Sequence, residues 1–128
     1  MAKKIKIAFA DDSILQRALV RAIVAQNNIF DLRYNCSNGQ ELVDQLEACT
    51  ELPQVCIMDL HMPLMDGIET ANRIREKFPS IKLFGYTSSI KDSEIEIFHK
   101  SGVQLIFNKT NFNMVLQEIH HCLTINNE

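Results

Sequence analysis

The stretch VCIMDLHMPLMDG, residues Val55 to Gly67, changes character in its middle. Val55-Cys56-Ile57-Met58 is a continuous apolar run, as expected of a strand covered on both faces. The next residue, Asp59, is an acid. It is followed by Pro63 and by Asp66-Gly67, residue types that restrict or redirect the backbone. A carboxylate at the mouth of a core, held by stiff punctuation, matters only in company, so the other residues that reach the same place decide its meaning.

Outward from this segment the chain alternates short apolar runs with amphipathic stretches. Ile5–Ala10 reads as a first strand. Asp12-Ser13 offers a helix N-cap, and Leu15, Leu19, Ala22 and Ile23 are expected to form the buried face of the helix that follows. Leu32–Cys36 alternates like a half-exposed edge strand. Leu42, Val43, Leu46 and Cys49 mark a second helix. Ile68, Ala71, Ile74 and Phe78 mark a third, which Pro79 stops. Ile81–Tyr86 reads as a fourth strand, and a weaker helix runs through Ile95 and Phe98 to Gly102. Leu105-Ile106-Phe107 is a fifth strand, and Phe112, Val115, Leu116, Ile119 and Leu123 give the last helix one apolar stripe.

Strict strand–helix alternation implies an α/β fold, a parallel sheet with helices on both faces. Such sheets bind ligands beyond the carboxyl ends of their strands, where the strand order reverses. Asp11 and Asp12 follow the first strand, Asp59 the third, Thr87 the fourth and Lys109 the fifth. One rim therefore collects three acids, a hydroxyl and an ammonium.

Composition narrows the classes of function. The length of 128 residues suits one domain, taken here as 1–128. A net charge of −3 without a long basic stripe argues against nucleic-acid binding by this domain. Lys3, Lys4 and Lys6 read as a solvated strand start. Cys36, Cys49, Cys56 and Cys122 are widely spaced and read as buried free thiols of a reducing compartment. With no recognisable secretory leader and no apolar run of membrane-spanning length, a cytoplasmic location without membrane contact is expected.

Three carboxylates converging in a crevice repel one another. Two unit charges about 4 Å apart cost roughly 4 kcal/mol at a near-surface effective dielectric. Relief comes from protons or from a cation, and hard oxygen donors with room for water and phosphate suit Mg²⁺. Lys109 offsets part of the charge. An ionised carboxylate can itself attack phosphorus, and phosphoryl transfer needs mainly positioning and charge neutralisation.

The acidic pair Asp11-Asp12, Asp59 in MDLHMPLMDG, Thr87 in FGYTS and Lys109 in FNKT, in this order and each at a strand end, resemble the receiver domains of bacterial two-component response regulators over almost the whole length. The resemblance implies a flavodoxin-like (βα)5 doubly wound sheet of strand order 2-1-3-4-5. It implies that Asp59 is the phosphoacceptor and that Thr87 and Lys109 contact the phosphoryl oxygens. Asp12, Asp59 and the backbone carbonyl of His61 would hold Mg²⁺, with Asp11 acting through water or towards Lys109. It also implies a histidine kinase or phosphotransfer protein as donor, a downstream target that the sequence does not name, and switching rather than catalytic turnover.

Two positions depart from the family pattern. Thr110 stands where proline usually follows the lysine, and a cis Lys109-Thr110 bond is expected so that the ammonium still reaches Asp59. Ile106, with Phe107 beside it, stands where the family carries a switch aromatic, so the response is expected to run through repacking around Ile106 and Ile95. The His61 side chain is expected to lean over the pocket mouth and tune the lifetime of the phosphorylated state, with pH dependence near its titration range. Among plainer features, Asp66-Gly67 reads as a turn, Met58, Met62 and Met65 as packing, His99 as surface without a partner, and His120-His121 as an exposed pair. Two rival functions remain open. One is a phosphatase with an aspartyl intermediate, in which His61 would occupy the place of the usual second acid. The other is an interaction module that has lost phosphorylation. The segment MDGIETANRIREKFP is similar to receivers that precede a DNA-binding domain, which leaves a transcriptional output open.

Overall fold

Ile5–Ala10 (β1) alternates Ile7 and Phe9 with Ala8 and Ala10, and the two sets bury into separate cores on opposite faces of one sheet. The computed structural model describes residues 3–88 and 91–125. The further elements are Ile14–Ala25 (α1), Phe30–Cys36 (β2), Gly39–Ala48 (α2), Val55–Met58 (β3), Gly67–Lys77 (α3), Lys82–Thr87 (β4), Asp92–Lys100 (α4), Val103–Asn108 (β5) and Phe112–Ile125 (α5). The strands are all parallel and run in the order β2-β1-β3-β4-β5. The parallel sheet is the one expected from the alternation, and its flavodoxin-like strand order is the one the resemblance implied. The order reverses between β1 and β3, and the C-terminal ends of those two strands carry Asp11 and Asp59.

Each side of the sheet has its own core. Leu42, Val43 and Leu46 of α2, Ala71 and Ile74 of α3 and Phe98 of α4 pack with Cys56 and Met58 on one face. Val20 and Val24 of α1 and Phe112, Val115, Leu116 and Ile119 of α5 pack with Val55 and Ile57 on the other. Met58, Met62 and Met65 are buried in the first core, as packing residues should be. β3 is buried along its whole length, which is why its sequence carries no polar residue.

The inward face of α1 differs from the one expected. Leu15 is 76% exposed and Leu19 43% exposed, while Val20 and Val24 are buried and Ile23 is partly buried. Apolar residues lie on more than one side of this helix, so periodicity alone admits two rotations. The caps decide between them. Ser13 accepts from the Gln16 amide at 3.2 Å, and the Arg17 guanidinium donates to the Asp11 carbonyl at 2.8 Å. Arg17, Val20 and Val24 share a face at i, i+3 and i+7, so anchoring Arg17 at the end of β1 turns both valines inward.

Other local expectations shift in smaller ways. Asp66-Gly67 is a helix start, because Asp66 caps α3 by accepting from the Glu69 amide at 2.9 Å. His99 has a partner after all, its Nδ1 lying 2.9 Å from the Val103 carbonyl. His120 packs edge-on against Phe30 with ring centroids 6.3 Å apart, and only His121 is exposed. Lys6 pairs with Glu51. No disulfide forms among the described residues; Cys36 and Cys56 are buried and Cys49 and Cys122 half-buried. Burial pushes the Cys36 thiol up to about 12, so it stays protonated and inert at neutral pH.

The inward rotation of α1 carries a stability consequence. Val20→Ala should lower unfolding stability by about 2 kcal/mol through lost burial and the residual cavity. Leu15→Ala should change it by less than about 0.5 kcal/mol. Urea titration of both variants decides the matter, and a larger loss at Leu15 would contradict this packing.

Candidate functional site

The parallel ladder between β1 and β3 continues one residue past its last apolar pair, with the Asp59 amide donating to the Ala10 carbonyl at 3.0 Å. That bond places Asp59 beside the end of β1, where the Asp11 amide is held by the Cys36 carbonyl at 3.0 Å. Backbone pairing thus brings together two acids 48 positions apart in sequence. Asp59 is only 6% exposed and Asp11 is fully buried, while Asp12 remains exposed at the rim.

Lys109 enters from the end of β5, its amide donating to the Thr87 carbonyl at 3.1 Å. Its ammonium lies 2.7 Å from Asp11 Oδ2 and 2.8 Å from Asp59 Oδ2. The expected cis bond is not observed: no cis peptide occurs among the described residues, and Lys109-Thr110 is trans. The long, flexible lysine stem makes the expected correction of the backbone unnecessary. The ammonium also lies 6.0 Å from the centre of the Tyr86 ring, which packs against Phe9 and Phe112.

Electrostatics explain why this cluster is unusual. Burial pushes the Asp11 carboxyl above its ordinary range, and the neighbouring Lys109 ammonium and the hydrogen bond from the Ser13 amide offset only part of that. Burial pulls the Lys109 ammonium the other way, but its pairing with the Asp11 and Asp59 carboxylates outweighs this, so its value is raised and it stays charged at neutral pH. One ammonium faces two buried acids, and Asp12 adds a third negative charge. Asp11, Asp12 and Asp59 each offer a carboxylate oxygen within 4.8 Å of the others. Asp11 Oδ2 touches the ammonium but lacks a well-aligned hydrogen bond of its own. A buried acceptor with spare capacity, in an all-oxygen donor set, fits a hard divalent cation.

Thr87 is the last residue of β4 and is 1% exposed. The His61 amide donates to Asp59 Oδ1 at a long 3.4 Å, and its ring turns towards α4, with Nε2 3.5 Å from Glu94 Oε2. Ile106 and Phe107 point to opposite faces: Ile106 packs into the α3 and α4 side, and Phe107 stacks on Phe84 at 6.3 Å. Ile95 is half-buried on α4.

The loop from Asp59 to Gly67 is shaped by backbone rather than by charge. Leu64 takes a φ of 68°, and the Met65 amide closes on the Pro63 carbonyl at 2.7 Å, a tight turn that a β-carbon resists. Gly67 then passes so close to the Asp59 carbonyl that a Cβ there would stand 2.4 Å from it. The Arg17 anchor, the Tyr86 platform and the Glu94 contact were not anticipated from sequence. Gly85 within an apolar strand is the one signal that could have marked a close backbone approach.

Comparison with known proteins places this arrangement. The family described as "Response regulator receiver domain" matches residues 7–120. The response regulator protein VraR of Staphylococcus saprophyticus is 32% identical over 107 residues, 83% of this chain and 50% of the relative. A protein-glutamate methylesterase/protein-glutamine glutaminase of Clostridium acetobutylicum is 31% identical over 86 residues, 67% of this chain and 24% of the relative. The chain therefore spans half or less of the length of these relatives. A CheY-like receiver domain structure from Methanospirillum hungatei superposes with a TM-score of 0.85 at 17% identity, covering 95% of each chain. At that identity the likeness concerns the fold.

The charge imbalance makes a measurable demand. Lys109→Met removes the ammonium that shares Asp11 and Asp59, so a divalent cation should bind the variant about tenfold more tightly at neutral pH. Calorimetric titration of both proteins checks this; weaker binding by the variant would show that the lysine supports cation binding instead of competing with it.

Proposed function

The chain belongs to the response regulator receiver family, and from that premise we propose that it is a phosphorylation-controlled signalling switch with Asp59 as phosphoacceptor. The observation that carries the reading is the placement of Asp59. It is an almost buried carboxylate at the end of β3, flanked by Asp11 and Asp12 and bonded to the Lys109 ammonium at 2.8 Å.

In this reading a histidine kinase or phosphotransfer protein presents a phosphohistidine. An Asp59 carboxylate oxygen attacks phosphorus, a P–O bond forms, the P–N bond breaks, and the imidazole leaves. No general base is needed, because a carboxylate carries no proton to remove at neutral pH. Lys109 and Thr87 take up charge on the transferred oxygens, which is where most of the catalysis lies. Asp12, Asp59 and the His61 carbonyl would hold Mg²⁺, with Asp11 acting through water or through Lys109. Bound there, the cation would supply neutralisation of negative charge. Water later hydrolyses the acyl phosphate and restores Asp59. His61 stands two residues beyond the phosphoacceptor and is assigned the role of tuning that lifetime.

The phosphoryl group shifts a population between two packings of one domain, taken as residues 1–128, and so changes which partner it binds. The cytoplasm is taken as the site of action, and no helix among the described residues is long and apolar enough to cross a membrane. The output belongs to whatever the switch is joined to or binds.

Incubation with acetyl phosphate and Mg²⁺ should add one phosphoryl group by intact mass, lost on treatment with hydroxylamine. Asp59→Asn should abolish it, and Thr87→Ala should slow it by about tenfold to a hundredfold. Continued release of phosphate from small esters, beyond one equivalent, would point to a turnover phosphatase. Failure of the unmodified chain to accept phosphate would point to a phosphorylation-independent interaction module.

A further inference from the structure

Phe98 sits on the inner side of α4 and is 0% exposed. Its ring reaches between two glycines on different elements. A Cβ on Gly85 of β4 would come within 2.6 Å of Phe98 Cε2, and one on Gly67 at the start of α3 within 3.1 Å of Phe98 Cζ. The same Gly67 position lies against the Asp59 carbonyl and, at 2.9 Å, the Leu60 Cα. Gly85 precedes Thr87 by two residues on the same strand. One aromatic ring therefore bears at once on the backbone that carries Asp59 and on the strand that presents Thr87.

The rest of α4 is tied to the same surroundings. Arg75 of α3 donates to the Lys100 carbonyl at 2.6 Å, closing the helix's C-terminal end. The Glu94 carboxylate meets His61 near its start. Ile106 also borders Gly85, with Cγ1 3.2 Å from where a Cβ would stand, so the ring has a filled neighbour on the β5 side. Interiors packed this tightly do not deform continuously; a wedge is either seated or displaced together with its helix.

We propose that Phe98 is the positioning residue that couples the Asp59 site to α4. Its ring, seated between Gly67 and Gly85, transmits movement of the Asp59 loop and of β4 to the helix. The face of α4 bearing Ile97, which is 49% exposed, is then the surface whose presentation changes. This inference rests on the reading of Asp59 as phosphoacceptor.

The test uses the full chain with Mg²⁺ and beryllofluoride as phosphoryl mimic, following both mimic binding and amide exchange over Asp92–Lys100. Binding should alter α4 exchange in the unmodified protein. Phe98→Leu, which keeps an apolar filler but shortens the reach, should bind the mimic and lose about fivefold or more of that response. Gly85→Ala, which drives the ring out from the strand side and leaves α4 unmutated, should give the same loss and decides the case if Phe98→Leu does not fold. Variants that bind the mimic and respond like the unmodified protein overturn the coupling role, as does an unmodified protein that binds the mimic with no change in α4. An unmodified protein that does not bind the mimic overturns the phosphoacceptor reading itself, and the coupling role with it.

Discussion

The shared grip of one ammonium on two buried carboxylates, Lys109 on Asp11 and Asp59 at 2.7 and 2.8 Å, is the interaction on which the rest of this structure depends. Taking such charges out of water costs several kcal/mol per ion, and their mutual attraction repays it only with well-placed hydrogen bonds. Here the repayment is incomplete. Asp11 is pushed above the ordinary carboxylate range by its burial, and one of its oxygens lacks an aligned donor. A cluster this poorly neutralised is weak evidence for stability and stronger evidence for a site that handles charge.

The scaffold exists to hold that imbalance in place. Parallel pairing carries Asp59 one step beyond β3, level with the end of β1, and the covered faces of the sheet leave its carboxyl edge as the open one. Around the acids, rigidity comes from backbone features without charge: the turn at Leu64, the capped start of α3 and the close passage of Gly67. The same absence of side chains at Gly67 and Gly85 admits the Phe98 ring. The packing that fixes the acids thus reaches directly into a helix whose other side faces solvent.

Several expectations drawn from sequence rested on residues whose local meaning is unambiguous. Val55–Met58 has no polar residue and could only be a doubly covered strand; Phe112, Val115, Leu116 and Ile119 allow one inward face. The convergence of Asp11, Asp12, Asp59, Thr87 and Lys109 on one rim followed from strand ends, because a parallel sheet aligns those ends whatever lies between them. Where the residue pattern was degenerate, the reading went astray. α1 is apolar on two sides, and its rotation is chosen by the reach of Arg17 to the Asp11 carbonyl, a contact with no local signature. The Lys109-Thr110 bond is trans because side-chain length makes up what the backbone does not.

By itself the sequence determined the order of elements, the parallel sheet and the set of residues at its carboxyl edge, because hydrophobic period and strand-end position are local properties of the chain. Tertiary structure alone decided which face of α1 is buried, towards which neighbour His61 turns, and that Phe98 lies against the backbone of both Gly67 and Gly85. Those are contacts between residues far apart in the chain. They are selected by how three-dimensional volumes fill, and no window of sequence records that.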